Sequence, residues 1–290
     1  MEGYFLTKEK LAEQFPELSN FEPISWGGQK QVYKCNHKGE KLVLKLVRVE
    51  DEARIDDTAL ERVLREIKLI NSIKSPYLVK AGSVAPSYFK KDSSLFYSYS
   101  EEYLDGSTVR QMIRTATFDN NRCLKMLINI TSAIDALWTG NESVHRDIKP
   151  ENIIYKNSDD IFVLIDTGVA LIKQETSLTP TGCVVGTLSY MSPEQIRGRR
   201  DLDFRSDLYA LGLVAYECIT GKHAYITTGM RDSEIMNNII NFLPSTLKGI
   251  VKDYPDELLD IVDILLKKRP HMRFNSCPKL LERLAKILYN

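Results

Sequence analysis

The stretch Val144-His-Arg-Asp-Ile-Lys-Pro-Glu-Asn152, followed after a short turn by Phe162-Val-Leu-Ile-Asp-Thr-Gly168, constrains this chain more than any other part of it. Taken singly, its Asp-x-Lys is an ordinary surface ion pair, and no lone aspartate carries an argument. What gives the stretch weight is the order of parts around it. The first third reads as sheet: Gln31-Val-Tyr-Lys-Cys35 and Lys41-Leu-Val-Leu-Lys-Leu-Val47 are β-prone runs joined by the turn-rich Asn36-His-Lys-Gly39, which predicts a hairpin. Leu78–Val84 and Leu95–Tyr103 predict two further strands, about five in all with the run that begins at Phe21. Leu60–Ile73 sets Leu60, Val63, Leu64 and Ile67 on one helical face opposite Glu61, Arg65 and Lys68, and Pro76 closes that helix.

Beyond residue 105 helical periodicity dominates, over Cys123–Trp138, Asp207–Thr220, Glu257–Leu266 and Pro278–Leu288, with Gly140 and Gly221 where helices commonly stop. Residues 4–18 predict a short leading helix around Thr7. A small sheet-rich part ahead of a larger helical part is an α+β arrangement.

Composition excludes several classes. Lys plus Arg equals Asp plus Glu at 39 each, so no bulk field favours nucleic acid or an anionic membrane. The five cysteines form no CxxC pair, and their odd number argues against a disulfide framework and for a reducing, cytoplasmic setting. The longest apolar-looking run, Leu208–Ile219, is well short of the roughly 20 residues that cross a bilayer.

The segment from Val144 to Gly168 resembles the eukaryotic-type (Hanks-type) protein serine/threonine kinase family, in its H-R-D, K-P-E-N and D-x-G elements and their spacing. The likeness extends over about residues 20–290, and Ser192-Pro-Glu-Gln-Ile-Arg-Gly198 looks especially like bacterial members. It implies a bilobal fold: residues 1–19 as an N-terminal extension, 20–104 as a sheet lobe with one main helix, and 105–290 as a helical lobe. The implied activity is transfer of the γ-phosphoryl of Mg-ATP to Ser/Thr hydroxyls of proteins, with no nucleic-acid or membrane partner.

By the same resemblance Asp147 accepts the proton of the attacking hydroxyl, Lys149 contacts the γ-phosphate, and Asn152 and Asp166 hold Mg²⁺. Lys45 ends Leu42-Val-Leu-Lys45, the family's V-A-I-K with Val43 in place of alanine, and would bind the α- and β-phosphates. Glu66 is its expected partner. Glu61 competes for that role from the same helix, about 140° round, so only one of the two can face the lysine. Gly27 and Gly28 belong to a degenerate glycine-rich loop in which Ser25 and Lys30 replace glycines. Val32, Val43 and Ile154 complete the nucleotide-binding set. Glu102 and Leu104 would hydrogen-bond adenine through their backbones. Glu101 then falls where many kinases carry an apolar residue: either the register is off by one or the back of the pocket is polar.

Gly186-Thr-Leu-Ser-Tyr-Met-Ser-Pro-Glu194 resembles the end of an activation segment, with Glu194 paired to Arg273 and Asp207 anchoring the catalytic-loop backbone. Thr179 and Thr181 are the expected autophosphorylation sites, able to pair with Arg146 once modified. Thr167 stands where the family has phenylalanine. The departures at Ser25, Lys30 and Thr167 fit an alternative, a catalytically impaired scaffold of the same fold. The intact Lys45, Asp147, Asn152 and Asp166 oppose it.

Overall fold

The computed structural model describes residues 6–27, 30–49, 72–91, 94–115, 118–166 and 188–288. The chain divides into two compact units, one holding residues 6–49 and 79–104 of these and the other residues 72–78 and 105 onward. Elements are numbered below among the described residues.

The first unit is an antiparallel five-stranded sheet in the order β1-β2-β3-β5-β4. Its strands are β1 (Leu18–Gly27), β2 (Lys30–His37), β3 (Glu40–Val49), β4 (Ser87–Lys91) and β5 (Ser94–Glu102). The β2–β3 hairpin turns on Lys38 and Gly39, both at positive φ (51° and 87°), between the paired His37 and Glu40. Two positive φ values in a two-residue loop match the twist of the flanking strands, which is why a glycine sits there. Strand alternation divides the side chains. Tyr33, Cys35, Leu42, Leu44, Leu46, Phe89 and Phe96 form one apolar cluster, and the short helix α1 (Lys8–Gln14), capped by Thr7, belongs to it through Leu6, Leu11 and Phe15. Phe15 meets Phe89 edge to face with centroids 5.5 Å apart, and Tyr33 Oη donates to the Leu6 carbonyl at 3.3 Å. The segment read as an N-terminal extension therefore supplies part of this unit's core.

One strand expectation needs correction. Residues 78–84 form no strand; Leu78 and Ala81 make only isolated bridges, to Leu164 and Glu101 respectively. The fourth strand is instead Ser87–Lys91, whose Lys90 and Lys91 are the kind of charged residues that protect an edge strand from further pairing. The helix expected over Leu60–Ile73 falls almost wholly outside the described residues.

The second unit contains α2 (Val109–Arg114), α3 (Asn120–Asn141), α4 (Pro193–Ile196), α5 (Phe204–Thr220), α6 (Asp232–Asn241), α7 (Asp256–Leu265) and α8 (Cys277–Leu288). A small sheet, β6 (Gly106–Thr108), β7 (Ile153–Lys156) and β8 (Ile161–Leu164), is antiparallel in that order. The expected helices at 123–138, 207–220, 257–266 and 278–288 are all present. Gly140 does not end its helix: α3 runs on to Asn141 and stops at Glu142, which takes the left-handed φ of 47°. Gly221 does end α5, at φ 69°. Helix α6 carries a weaker signal, two buried residues, Ile235 and Ile239, one turn apart.

Helix α5 is the axis of this unit, buried without interruption from Ser206 to Ile219. A helix apolar nearly all round is what a core position demands. Glu194 and Arg273 meet beside it as a bidentate pair, 2.6 and 2.9 Å, with Ser206 Oγ donating to the same carboxylate. Burial alone would raise the Glu194 pKa; the guanidinium and the surrounding donors bring it below the usual carboxylate value. Among the described residues no helix is long and apolar enough to cross a membrane.

Two consequences are measurable. A Cβ on Gly212 would lie 2.8 Å from Leu265 Cβ, so Gly212→Val forces α5 away from α7. The variant should lose about 1–3 kcal/mol in denaturant unfolding. Lys268 is half-buried among Tyr209, Tyr225 and the Ile239 carbonyl; that burial, with Arg273 and Arg197 nearby, lowers its pKa to about 7. A lysine whose folded pKa lies below its unfolded value of about 10.4 penalises the folded state fully below pH 7, and the penalty is relieved as pH rises toward the unfolded value. The stability of the wild type relative to Lys268→Met should therefore climb between pH 7 and 10, measured as the difference in urea midpoints at matched pH.

Candidate active site

In the second unit the residues singled out by sequence come together around one loop. Lys149 Nζ donates to both oxygens of Asp147, at 3.0 and 2.9 Å. Asn152 Nδ2 donates to the Asp147 carbonyl (2.8 Å) and to its carboxylate (3.1 Å), closing a one-turn helix at Pro150–Asn152. With its amide hydrogens engaged there, the Asn152 side chain has its carbonyl oxygen left to offer a cation.

Both ends of this loop are tied to the residue before Asp166. His145 Nε2 lies 3.0 Å from the Ile165 carbonyl, and the Ile165 amide donates to the Asn152 carbonyl at 2.9 Å. Because His145 Nδ1 accepts from the Asp147 amide (3.3 Å), the network assigns its proton to Nε2. Arg146 and Asp166 both adopt positive φ, 65° and 68°, a conformation uncommon outside glycine. Such geometry persists where the surroundings over-determine it. At Arg146 the determinant is Asp207, fully buried in α5, whose two carboxylate oxygens accept the amides of His145 (2.7 Å) and Arg146 (2.8 Å). Burial raises the Asp207 pKa, against the opposing pull of His145 and of those amides.

The donor set can be tested against a divalent cation by its chemistry. Asp166, 6% exposed, and the Asn152 carbonyl are hard oxygen ligands on adjoining, bonded segments. Two protein oxygens suit Mg²⁺, which keeps several waters and takes the rest of its shell from phosphates. No cluster of three or more His, Cys, Asp or Glu able to hold a metal by itself occurs among the described residues. The residues fit a divalent cation bound together with a phosphate-bearing ligand.

In the sheet unit, the face opposite the apolar cluster carries Val32, Val43 and Lys45, with Tyr99 directly across from Lys45 and Glu101 across from Val43. Lys45 and Glu101 are 2% and 6% exposed and form a direct ion pair. The register puts Glu101, and not Ser100 or Glu102, on the Lys45 face. Glu66, expected as the partner of Lys45, lies outside the described residues. The Glu102 amide donates to the Lys80 carbonyl (3.0 Å), and Leu104 is buried at 7%. Gly27 ends β1, paired with Lys30. Ile154 lies in β7, paired with Thr108 and Val163. Gly28, Thr167, Gly168, Thr179, Thr181, Gly186 and Thr187 lie outside the described residues.

Sequence reasoning missed two holds on the loop. Gln195 Nε2 donates to the Arg146 carbonyl at 3.0 Å. Arg110 bridges Glu151 (2.7 Å), Glu217 (2.5 Å) and the Tyr190 hydroxyl (2.6 Å). The partners of Arg110 are 41, 107 and 80 residues away, and no local pattern announces them.

The sequence pattern described as the protein kinase domain matches residues 19–284. Similar curated proteins include the probable serine/threonine-protein kinase PknB of Lactococcus lactis, 29% identical over 260 residues, and the serine/threonine-protein kinase PknD of Mycobacterium tuberculosis, 28% identical over 272. A third is the serine/threonine-protein kinase pkn3 of Myxococcus xanthus, 33% identical over 207 residues. The matches take in 83%, 93% and 68% of this chain and 40%, 40% and 36% of those proteins, so the chain spans well under half the length of these relatives. With the domain pattern covering nearly its whole length and the loop geometry in place, this chain belongs to the protein kinase domain family.

Proposed function

We propose that the protein is a serine/threonine kinase that moves the γ-phosphoryl group of Mg-ATP to hydroxyls of protein substrates. The observation that carries this reading is the bonded set Asp147–Lys149–Asn152, anchored at both ends to the residue preceding Asp166. Phosphoryl transfer asks little covalent chemistry of a protein; it needs an aligned hydroxyl and neutralised phosphate charge. Asp147 is suited to receive the hydroxyl proton as the oxygen attacks the γ-phosphorus and the bond to the β–γ bridging oxygen breaks, releasing ADP. Lys149, already donating to Asp147, orients that carboxylate and has a further N–H to give to the transferring phosphoryl group. Asn152 and Asp166 would hold the divalent ion, which supplies charge neutralisation across the phosphates. Lys45 is assigned to the α- and β-phosphates, and Val32, Val43, Ile154, Glu102 and Leu104 to the base. Protein substrates are supported by the relatives' names and the family, and Thr179 and Thr181 are assigned as self-modification sites by their distance from Gly186.

Incubation with γ-labelled ATP and Mg²⁺ tests the reading. Asp147→Asn should lower kcat roughly 10²- to 10⁴-fold, the usual worth of a positioned general base, while leaving nucleotide binding largely intact. Equal label on wild type and variant would refute catalysis by Asp147, and no label on either would favour the scaffold alternative. Phosphopeptide mapping of the active wild type should find Thr179 or Thr181 modified, and modification at neither removes that assignment.

A further inference from the structure

A buried carboxylate next to a buried ammonium is not a neutral embellishment. Removing either charge from water costs several kcal/mol, and only tight mutual pairing returns it. Glu101 and Lys45 meet this condition, nearly inaccessible and directly bonded. Their contact is a cross-strand diagonal, since Val43 faces Glu101 and Lys45 faces Tyr99 in the β3–β5 register. Such diagonals are within reach of long side chains on one face.

The backbone that carries Glu101 is itself clamped. Ala81 bridges Glu101, the Gly82 amide donates to Ser100 (2.8 Å) and the Glu102 amide donates to Lys80 (3.0 Å). A Cβ at Gly82 would stand 2.4 Å from Ser100 Oγ and 3.0 Å from the Glu101 nitrogen, so glycine lets the 80–82 segment press against the strand here. The Lys45 ammonium lies 5.7 Å from the Tyr99 ring centroid, on the same face. Glu101 is thus a rigidly mounted acceptor at the point where the most important cation of this face must be held.

We propose that Glu101 is a positioning residue for the kinase reaction: its carboxylate fixes the Lys45 ammonium on the sheet face. The proposal rests on the reading of Lys45 as the phosphate-binding lysine. An ammonium has three donors, so holding Glu101 and meeting a phosphate are compatible. What Glu101 supplies is reach and placement, because a displacement of about 1 Å in a positioning group costs on the order of 10²-fold in rate.

The test compares length with charge. Glu101→Gln keeps the reach and an acceptor oxygen; Glu101→Asp keeps the charge and loses one methylene; Glu101→Leu loses both. Placement predicts that Gln retains more kcat/KM for ATP than Asp, and that Leu falls about tenfold or more below wild type. Asp matching wild type while Gln is inactive would overturn it, since charge alone would then matter. A double-mutant cycle with Lys45→Met isolates the route. If Glu101 acts through Lys45, adding Glu101→Leu to Lys45→Met changes kcat/KM less than threefold; the same loss in both backgrounds overturns the proposal. Melting curves establish which variants are folded, and should Leu fail to fold, the Gln-against-Asp order still decides. An active Lys45→Met would instead sink the reading of Lys45. An inactive Lys45→Met alongside a fully active, folded Glu101→Leu would sink only the role of Glu101.

Discussion

The reacting loop is shaped by one buried carboxylate. Asp207 leaves the central helix α5 to accept the amides of two successive residues, His145 and Arg146, and so pays the strain of the left-handed Arg146. Everything downstream of that turn inherits its position: Asp147 faces Lys149 and Asn152, and His145 reaches the carbonyl next to Asp166. An unpaired aspartate at full burial would be costly, so helix and loop stabilise each other, and neither arrangement makes sense without its partner.

The same logic recurs at the Glu194–Arg273 pair. Arg273 satisfies Glu194 with two nitrogens and gives its remaining hydrogens to the carbonyls of Arg205, Lys267 and Lys268. A guanidinium offers five donors in a fixed fork, and all five are used to tie these chain segments together. The pair therefore joins the end of the long segment after residue 187 to the helices that form the unit's core. In the sheet unit a second buried ion pair, Lys45–Glu101, crosses β3 and β5. Asp207 and the two pairs each place a charge where hydrophobic burial alone would leave position undetermined.

Much of this was legible in the order of residues. The kinase resemblance located Asp147, Lys149, Asn152 and Asp166, and the expected roles of Asp207 and Glu194–Arg273 are the contacts observed. Strong periodicity found the long helices, because burying one face of a helix demands it. Weak periodicity misled: residues 78–84 look apolar enough for a strand, yet their backbone bonds go to single partners in two different units. Gly140 resembles a stop, but the helix passes through it with Ile73 packed close by.

The sequence by itself determined the family, most of the element types and which residues are candidates for phosphoryl transfer, since these follow from local pattern and spacing. Only the tertiary structure decided that Glu101 faces Lys45, that α1 completes the sheet's core, and that Arg110 gathers Glu151, Glu217 and Tyr190. Those outcomes depend on strand register and on contacts between residues tens of positions apart. A one-residue change of register would turn Glu101 to the opposite face with no change in the local sequence.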